Sequence, residues 1–539
     1  MSDTSGATDA PAAVDPRIAF AMGGMIIAWW AEQHPDYPAF LSPAGNRTFA
    51  ELNGRANQLV RALRRRGVVA SDSAALLSSN RPEFSEVTFA TQRSGLRLTP
   101  VNWHLSGEEA GYIVDDCEAT VLVADARHAA SAVAAAGLAP GAVVRLAVGG
   151  EIEDFESYED AVSAEDDSNI EDPVMGRSML YTSGTTGRPK GVDRPAAGVA
   201  AAAGGAAGTA RAIFDYKAGE DLHLLTGPLY HAAPLAFSHL LPLLSGAGVV
   251  AMDHWDPEEA LRLIEAHRIT HTHMVPTMFV QLLKLAPEVR SRYDLSSLRS
   301  VLHGAAPCAV HIKRALIEWL GPVVFEYYAA TEGTGTWVDS ATWLSKPGTV
   351  GKIEPPDQVK VGDEDGNELP RNEVGTVFLK APDVGRFRYF KAEDKTDSAY
   401  RGDYYTLGDV GFVDDDGFLF LTDRSADLII SGGVNIYPAE VDAVLLEHPR
   451  VADVATIGVP NEEWGEEVKT IVELLDGSEG SPELAAELIE FARSKLAHYK
   501  CPRSIDFVAA LPRQDNGKIY KRVIRDAYRA RAAGSAQSA

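Results

Sequence analysis

From residue 48 onward, apolar positions recur at two alternating periods. Over 49–66 they fall three and four residues apart, which predicts an amphipathic helix, and 74–77 reads as a short strand. A helix over 84–93 and a strand over 96–101 repeat the pair. Ser106 and Glu109 stand three apart just ahead of an apolar run, the sequence form of a capping box, and start the next helix. Residues 119–124 and 143–148 read as further strands. Short strands alternating with helices predict an α/β fold built on a parallel sheet. Farther on, Asp256-Pro257-Glu258-Glu259 has the order of a helix start: cap, proline, then acids in the first turn. Between 355 and 422 the pattern changes. Strands are now separated by turns such as Glu364-Asp365-Gly366-Asn367 and Asp415-Asp416-Gly417, which predicts antiparallel hairpins forming a small β-barrel-like subdomain. A helix over 438–447, a strand over 451–458 and a helix over 482–496 then predict a smaller α+β domain.

Composition adjusts this picture in three places. A chain of 539 residues exceeds what one core organises, so two or more domains are expected. The net charge of -26 argues against nucleic acid or an anionic membrane as partner, and it requires any anion site to build its own positive field. Cys117, Cys308 and Cys501 lie far apart without metal spacing, which fits reduced thiols in a cytoplasmic protein. The apolar run 18–31 is too short to span a bilayer and lacks a basic flank, so it reads as an amphipathic packing helix. Residues 1–16, rich in Ala, Ser, Asp and Pro, read as disordered, and 531–539 as a loose tail.

The candidate chemistry centres on Tyr181-Thr182-Ser183-Gly184-Thr185-Thr186-Gly187-Arg188-Pro189-Lys190-Gly191. Its glycines allow backbone amides to converge on one anion, its hydroxyls add donors and Lys190 adds charge. The strand-like 179–181 predicts that the loop leaves the end of a buried strand. A P-loop would need Gly-Lys-Ser/Thr where this chain has Pro189-Lys190-Gly191, so that register fails. A surface turn rich in glycine and hydroxyls is the plainer alternative.

The stretch resembles the phosphate loop of adenylate-forming enzymes, the superfamily of acyl-CoA synthetases, luciferases and peptide-synthetase adenylation domains. Further matches extend that resemblance from about residue 45 to about residue 522. Leu302-His303-Gly304-Ala305-Ala306-Pro307 is similar to the family's adenine-side loop, and Glu326-Tyr327-Tyr328-Ala329-Ala330-Thr331-Glu332 to its Tyr-Gly-x-Thr-Glu block, with Ala329 in place of the usual glycine. Tyr405-Thr406-Leu407-Gly408-Asp409 resembles the ribose block. Thr422-Asp423-Arg424 precedes the family's hinge position, here Ala426. Ser431-Gly432-Gly433-Val434 resembles the hairpin bordering the CoA tunnel, with Val434 where Glu is common. Leu511-Pro512 to Gly517-Lys518 matches the terminal block.

The resemblance implies a domain plan: an adenylation domain over 17–422, a hinge at 423–427 and a mobile C-terminal domain over 428–530. It also implies residue roles. Thr182, Ser183, Gly184, Thr185, Thr186, Gly187, Lys190 and Thr331 would meet phosphates, and Gly304, Ala305, Ala306, Tyr327, Tyr328 and Ala329 the adenine. Asp409 would take the ribose, Arg424 the nucleotide, and Glu332 with Thr182 a Mg²⁺ ion. Lys518 would serve adenylation, Gly432 and Gly433 the pantetheine of CoA, and His231 the entrance of the acyl pocket. His271 and His273 share one face of a strand, and packing is the better reading for them than metal binding.

The implied reaction has two halves. A carboxylate and ATP give acyl-AMP and pyrophosphate, then a thiol takes the acyl group. No general base is required, because the acid is already ionised at neutral pH. CoA is the expected acceptor, since little chain follows Lys518. A carrier protein is the runner-up, and an oxidative luciferase-like use or a non-catalytic binding protein on this fold remain as rivals. Candidate pocket residues offer no obvious cation, which points to a hydrophobic monocarboxylic acid: fatty, aryl or steroid side chain. The remaining expectations are no nucleic acid and no integral membrane association, and a homodimer is compatible with the sequence.

Overall fold

The computed structural model describes residues 16–536, apart from 183–188, 196–213, 364, 425–426, 432–433, 462–463, 476 and 514–518. It divides into two compact units, residues 1–178 and 179–539.

In the first unit, the helix Phe49–Arg65 begins with a complete capping box between Thr48 and Glu51. Its buried face runs through Phe49, Leu52, Ala56, Leu59, Val60 and Leu63, at the spacing the sequence predicts. Ser106 and Glu109 close the second capping box. Strands Ser73–Leu77, Arg97–Pro100, Ala119–Asp125 and Val144–Val148 lie parallel in one sheet, with short parallel edges at Glu156–Ser157 and Arg177–Ser178. The run 18–31 does not form one helix. It is two, Pro16–Met22 and Ile26–Gln33, broken at Gly23-Gly24. Gly24 has φ +72, and a Cβ there would stand 2.3 Å from the Gln92 carbonyl oxygen, so close backbone approach ends the first helix. The second helix is largely buried; the first buries nothing.

In the second unit, strands Gly248–Ala251, Leu222–Leu225, His271–Met274, Ser300–His303 and Val324–Ala330 are parallel in that order. Gly333–Val338 folds back antiparallel on the last of them. Asp256 caps the helix Pro257–His267 through the Glu259 amide at 2.7 Å. The antiparallel sheet expected after residue 355 is present, in the order Thr349–Lys352, Phe418–Arg424, Tyr404–Val413, Gly375–Lys380, Val359–Gly362. Near the C-terminus, Ile429–Ser431, Val434–Ile436, Gly465–Leu474, Val451–Asn461 and Ser504–Val508 form a further sheet, joined by helices Pro438–Leu445, Pro482–Arg493 and Lys521–Ala536. The last helix therefore continues into the stretch expected to be a tail. Among the described residues, no helix is long and apolar enough to cross a membrane.

One expectation fails here. The glycine loop does not leave a buried strand of the parallel sheet. It joins two strands of a small antiparallel sheet, Leu180–Thr182 and Lys190–Asp193, and the first of these is only half-buried. A strand rather than a helix at Lys190 also separates this loop from a P-loop.

Candidate active site

Across the hairpin, Lys190 faces Thr182, while Val192 and Asp193 pair on their other side with Tyr389 and Arg388. That register sets the Lys190 ammonium over the Tyr389 ring, 5.0 Å from its centroid. The Tyr389 hydroxyl donates to Glu332 Oε1 at 2.9 Å. Burial, followed by the Glu332 charge, pushes the Tyr389 phenol upward, so it stays a donor across the working pH range. Burial lowers the Lys190 ammonium and neighbouring Lys395 adds to that, against the opposing pull of Glu332. Buried Asp193 accepts a 2.9 Å bond from Arg388, which fixes the third strand.

Thr331 and Glu332 form the two-residue turn between Ala330 and Gly333. Neither has a positive φ, so the turn is not of the primed type that matches strand twist. A register shift between Tyr328 and Ala329 absorbs the mismatch. Arg194 donates to the Glu332 carbonyl, with the Thr331 carbonyl 3.5 Å away, and holds the turn from outside. Ala329 keeps a negative φ, so the residue standing for a usual glycine fits without strain.

Side chains alternate along Val324–Ala330, which sends Tyr327 and Tyr328 to opposite faces. Tyr328 reaches the antiparallel sheet, where its hydroxyl donates to Asp409 Oδ2 at 2.7 Å, both residues being buried. Asp409 in turn pairs across the sheet with Arg424, whose side chain lies outside the described residues. Tyr327 goes the other way, so its ring does not share that position. Its own backbone lies against Gly304, where a Cβ would meet the Tyr327 ring at 2.6 Å and its carbonyl oxygen at 2.8 Å. The next residue, Ala305, adopts φ +68, a left-handed conformation that costs an alanine roughly 1–2 kcal/mol. Ala305 and Ala306 are half-buried. Below this loop, Lys313 and Glu326 form a buried ion pair at 2.6 Å that ties the helix Val310–Leu320 to the strand carrying both tyrosines.

The face that receives Tyr327 is aromatic. Phe237 lies 4.8 Å from the Tyr327 ring, 5.8 Å from Trp337 and 5.8 Å from His273, and His273 Nε2 is 3.0 Å from the Tyr327 hydroxyl. Phe237 sits in the π-helical segment Pro234–Leu240, where the Leu241 amide reaches back to the Ala236 carbonyl. Pro242 has no amide to continue the normal ladder, which accounts for the widened turn. His231 precedes this segment, half-buried, its ring 4.6 Å from Tyr230 and its carbonyl accepting from Leu235. His271 and His273 both pack in the interior, as expected. Burial lowers His273 to about 3 and His271 to about 4, and drives His223 well below its ordinary value. This aromatic face is therefore uncharged at neutral pH. Among the described residues, no group of His, Cys, Asp and Glu could by itself hold a metal ion.

The sequence pattern of the AMP-binding enzyme family covers residues 27–387, and that of the AMP-binding enzyme C-terminal domain covers 440–518. The chain belongs to that family. Family members similar to it include a feruloyl-CoA synthase of an Amycolatopsis species, 34% identical over 484 residues, 89% of this chain and 93% of that protein. A long-chain-fatty-acid–CoA ligase of Mycobacterium tuberculosis is 31% identical over 521 residues, 94% of this chain and 99% of that protein. The fold matches the crystal structure of the anthranilate CoA ligase AuaEII in complex with anthranoyl-AMP, with a TM-score of 0.86 at 24% identity, over 95% of this chain and 98% of that one. This family member is an ATP-dependent acyl-CoA ligase.

Of the residues singled out by family resemblance, the structure brings Lys190, Glu332 and the Thr331–Glu332 turn together, and separately Tyr328 with Asp409. Ser183, Gly184, Thr185, Thr186, Gly187, Ala426, Gly432, Gly433 and Lys518 lie outside the described residues, as do residues 196–210, whose run of alanine and glycine predicts a closely packed helix. Sequence reading missed Tyr389, Arg194 and Phe237. Arg194 follows the loop by three residues and Phe237 follows His231 by six, so proximity could have flagged both. Tyr389 carries no local signal, because only strand pairing sets it beside Lys190.

Proposed function

We propose that this ligase adenylates a hydrophobic monocarboxylic acid and passes the acyl group to CoA, with the nucleotide across two hairpins of the second unit. The convergence of Lys190, Tyr389 and Glu332 beside the glycine loop carries this reading. Thr182, Ser183, Gly184, Thr185, Thr186, Gly187, Lys190 and Thr331 receive the phosphates. Tyr328, held by Asp409, presents its ring to the adenine next to Gly304, Ala305, Ala306 and Ala329, and the second Asp409 oxygen takes the ribose hydroxyls alongside Arg424. The substrate carboxylate attacks the α-phosphorus, the bond to the β-phosphate oxygen breaks and pyrophosphate leaves. Charge grows on the phosphoryl oxygens, so positioned cations and donors lower the barrier without proton transfer. Lys518 supplies the mobile cation. A turn of the C-terminal segment about 423–427 withdraws it and brings in Gly432 and Gly433 for the CoA thiol, which displaces AMP.

Glu332 suits a hard cation shared with nucleotide oxygens. It accepts one bond from Tyr389, and a carboxylate has capacity for about four. Glu332, with the Thr182 hydroxyl, would hold Mg²⁺, which when bound neutralises phosphate charge. The acid is read as hydrophobic because Phe237, Tyr327 and Trp337 surround it with neutral rings and His231 stands at the entrance. The test is a panel of fatty, aryl and steroid acids scored by CoA-dependent AMP release, together with Lys518→Ala. Hydrophobic monocarboxylates should turn over, and the variant should slow ATP–pyrophosphate exchange by roughly 10²–10³ while still passing preformed adenylate to CoA. Turnover confined to dicarboxylates, or undiminished exchange in the variant, would refute the corresponding assignment.

A further inference from the structure

The strand Val451–Asn461 pairs Val451 with Leu474 and Asp453 with Glu473, leaving Ala452 as an extra residue in a bulge. A bulge turns backbone carbonyls out of the ladder. Two of them, on Val451 and Ala452, accept hydrogen bonds from Lys284 Nζ at 3.0 and 2.8 Å. Lys284 is the last residue of the helix Pro276–Lys284, which directly follows the strand bearing His271 and His273. It thus joins the sheet of the candidate site to the C-terminal segment, 167 residues away in sequence.

The same corner carries charge. Burial lowers the Lys284 ammonium, and the nearby Asp453 and Glu473 carboxylates offset only part of that. Those two acids also anchor the root of the segment bearing Lys518. Arg513 Nε donates to Asp453 Oδ2 at 2.6 Å, the Leu511 amide donates to Glu473 Oε2 at 3.0 Å, and Arg513 bridges to Ile519. A second contact, His311 Nδ1 to Glu447 Oε1 at 3.8 Å, links the helix Val310–Leu320 to the turn that follows the helix Pro438–Leu445. Between those helices a cavity of about 350 Å³ remains, lined by Val310, Arg314, Ala315, Val444 and Glu447 among others. The helices do not pack closely across that opening, so point contacts carry more of the hold there.

We propose that Lys284 is a positioning residue for the two-step reaction, seating its ammonium in the Ala452 bulge to hold the C-terminal segment in this orientation and releasing it when the segment turns. This rests on the alternation proposed above. An ammonium on two carbonyls is a directional contact that a rotation breaks at one stroke, whereas an apolar interface would have to be peeled apart.

Lys284→Met removes the charge and keeps most of the stem; Lys284→Arg keeps the charge. Two readouts separate the ideas. Hydrogen exchange over 451–456 needs no turnover, and it should rise about tenfold in the Met variant and stay near wild type in the Arg variant. ATP–pyrophosphate exchange and thioester formation from preformed adenylate should then respond unequally to Lys284→Met, one changing about tenfold and the other less than twofold. Unchanged hydrogen exchange overturns the proposal, and so does an equal change in both half-reactions. A wild-type protein that performs neither half-reaction would instead remove the alternation on which the proposal rests.

Discussion

Replacing Tyr389 by phenylalanine isolates one bond at the proposed phosphate site. The ring stays, so Lys190 keeps its 5.0 Å contact with the π-face, and what disappears is the hydroxyl donating to Glu332 Oε1 at 2.9 Å. A hydrogen bond to a charged partner is worth roughly 1.5–3 kcal/mol. Glu332 is buried but Tyr389 is half-buried, so water can partly replace the lost donor and the lower figure applies. At about 1.4 kcal/mol per decade, adenylation should slow about tenfold. The Glu332 carboxylate, no longer held, should also bind Mg²⁺ less readily, raising the concentration needed for half-maximal exchange. Tyr389→Leu removes the ring as well and forfeits a further contact of about 0.5–1 kcal/mol, a factor of about two to five. The assay is ATP–pyrophosphate exchange with the best acid of the panel, titrated with Mg²⁺. If Tyr389→Phe stays within twofold of wild type at every Mg²⁺ concentration, Glu332 is not poised by Tyr389 and the local geometry has been misread.

Gly304→Ala should raise the KM for ATP at least about tenfold, measured by initial rates, because its Cβ would meet the Tyr327 ring at 2.6 Å and the loop must move away; an unchanged KM would place the adenine elsewhere. Acid should destabilise the protein through His273, whose folded value of about 3 lies below its ordinary 6.5. The unfolded chain takes up that proton first, so this stability is whole above about pH 6.5 and falls as pH drops toward 3. Between pH 6.5 and 5 it amounts to about 2 kcal/mol, and His273→Gln should flatten the pH dependence of urea melts by that amount. An identical slope in the variant would show that His273 carries its proton when folded.

The sequence by itself determined whatever is encoded within a few residues. The capping box at Ser106 and the proline start at Asp256 could be read directly, because an end cap depends on side chains three positions apart. The shift from helix–strand alternation to hairpins near residue 355 was legible for the same reason, and the 181–191 stretch was specific enough to indicate a nucleotide-using family. The break at Gly24 was not, since it depends on a carbonyl of Gln92 arriving from another helix. Only the tertiary structure decided that the glycine loop caps an antiparallel hairpin, that Tyr327 and Tyr328 serve different faces, and that Glu332 answers to Tyr389, 57 residues away. Strand register makes those pairings, and register depends on the summed fit of two distant segments, which no single stretch of chain contains.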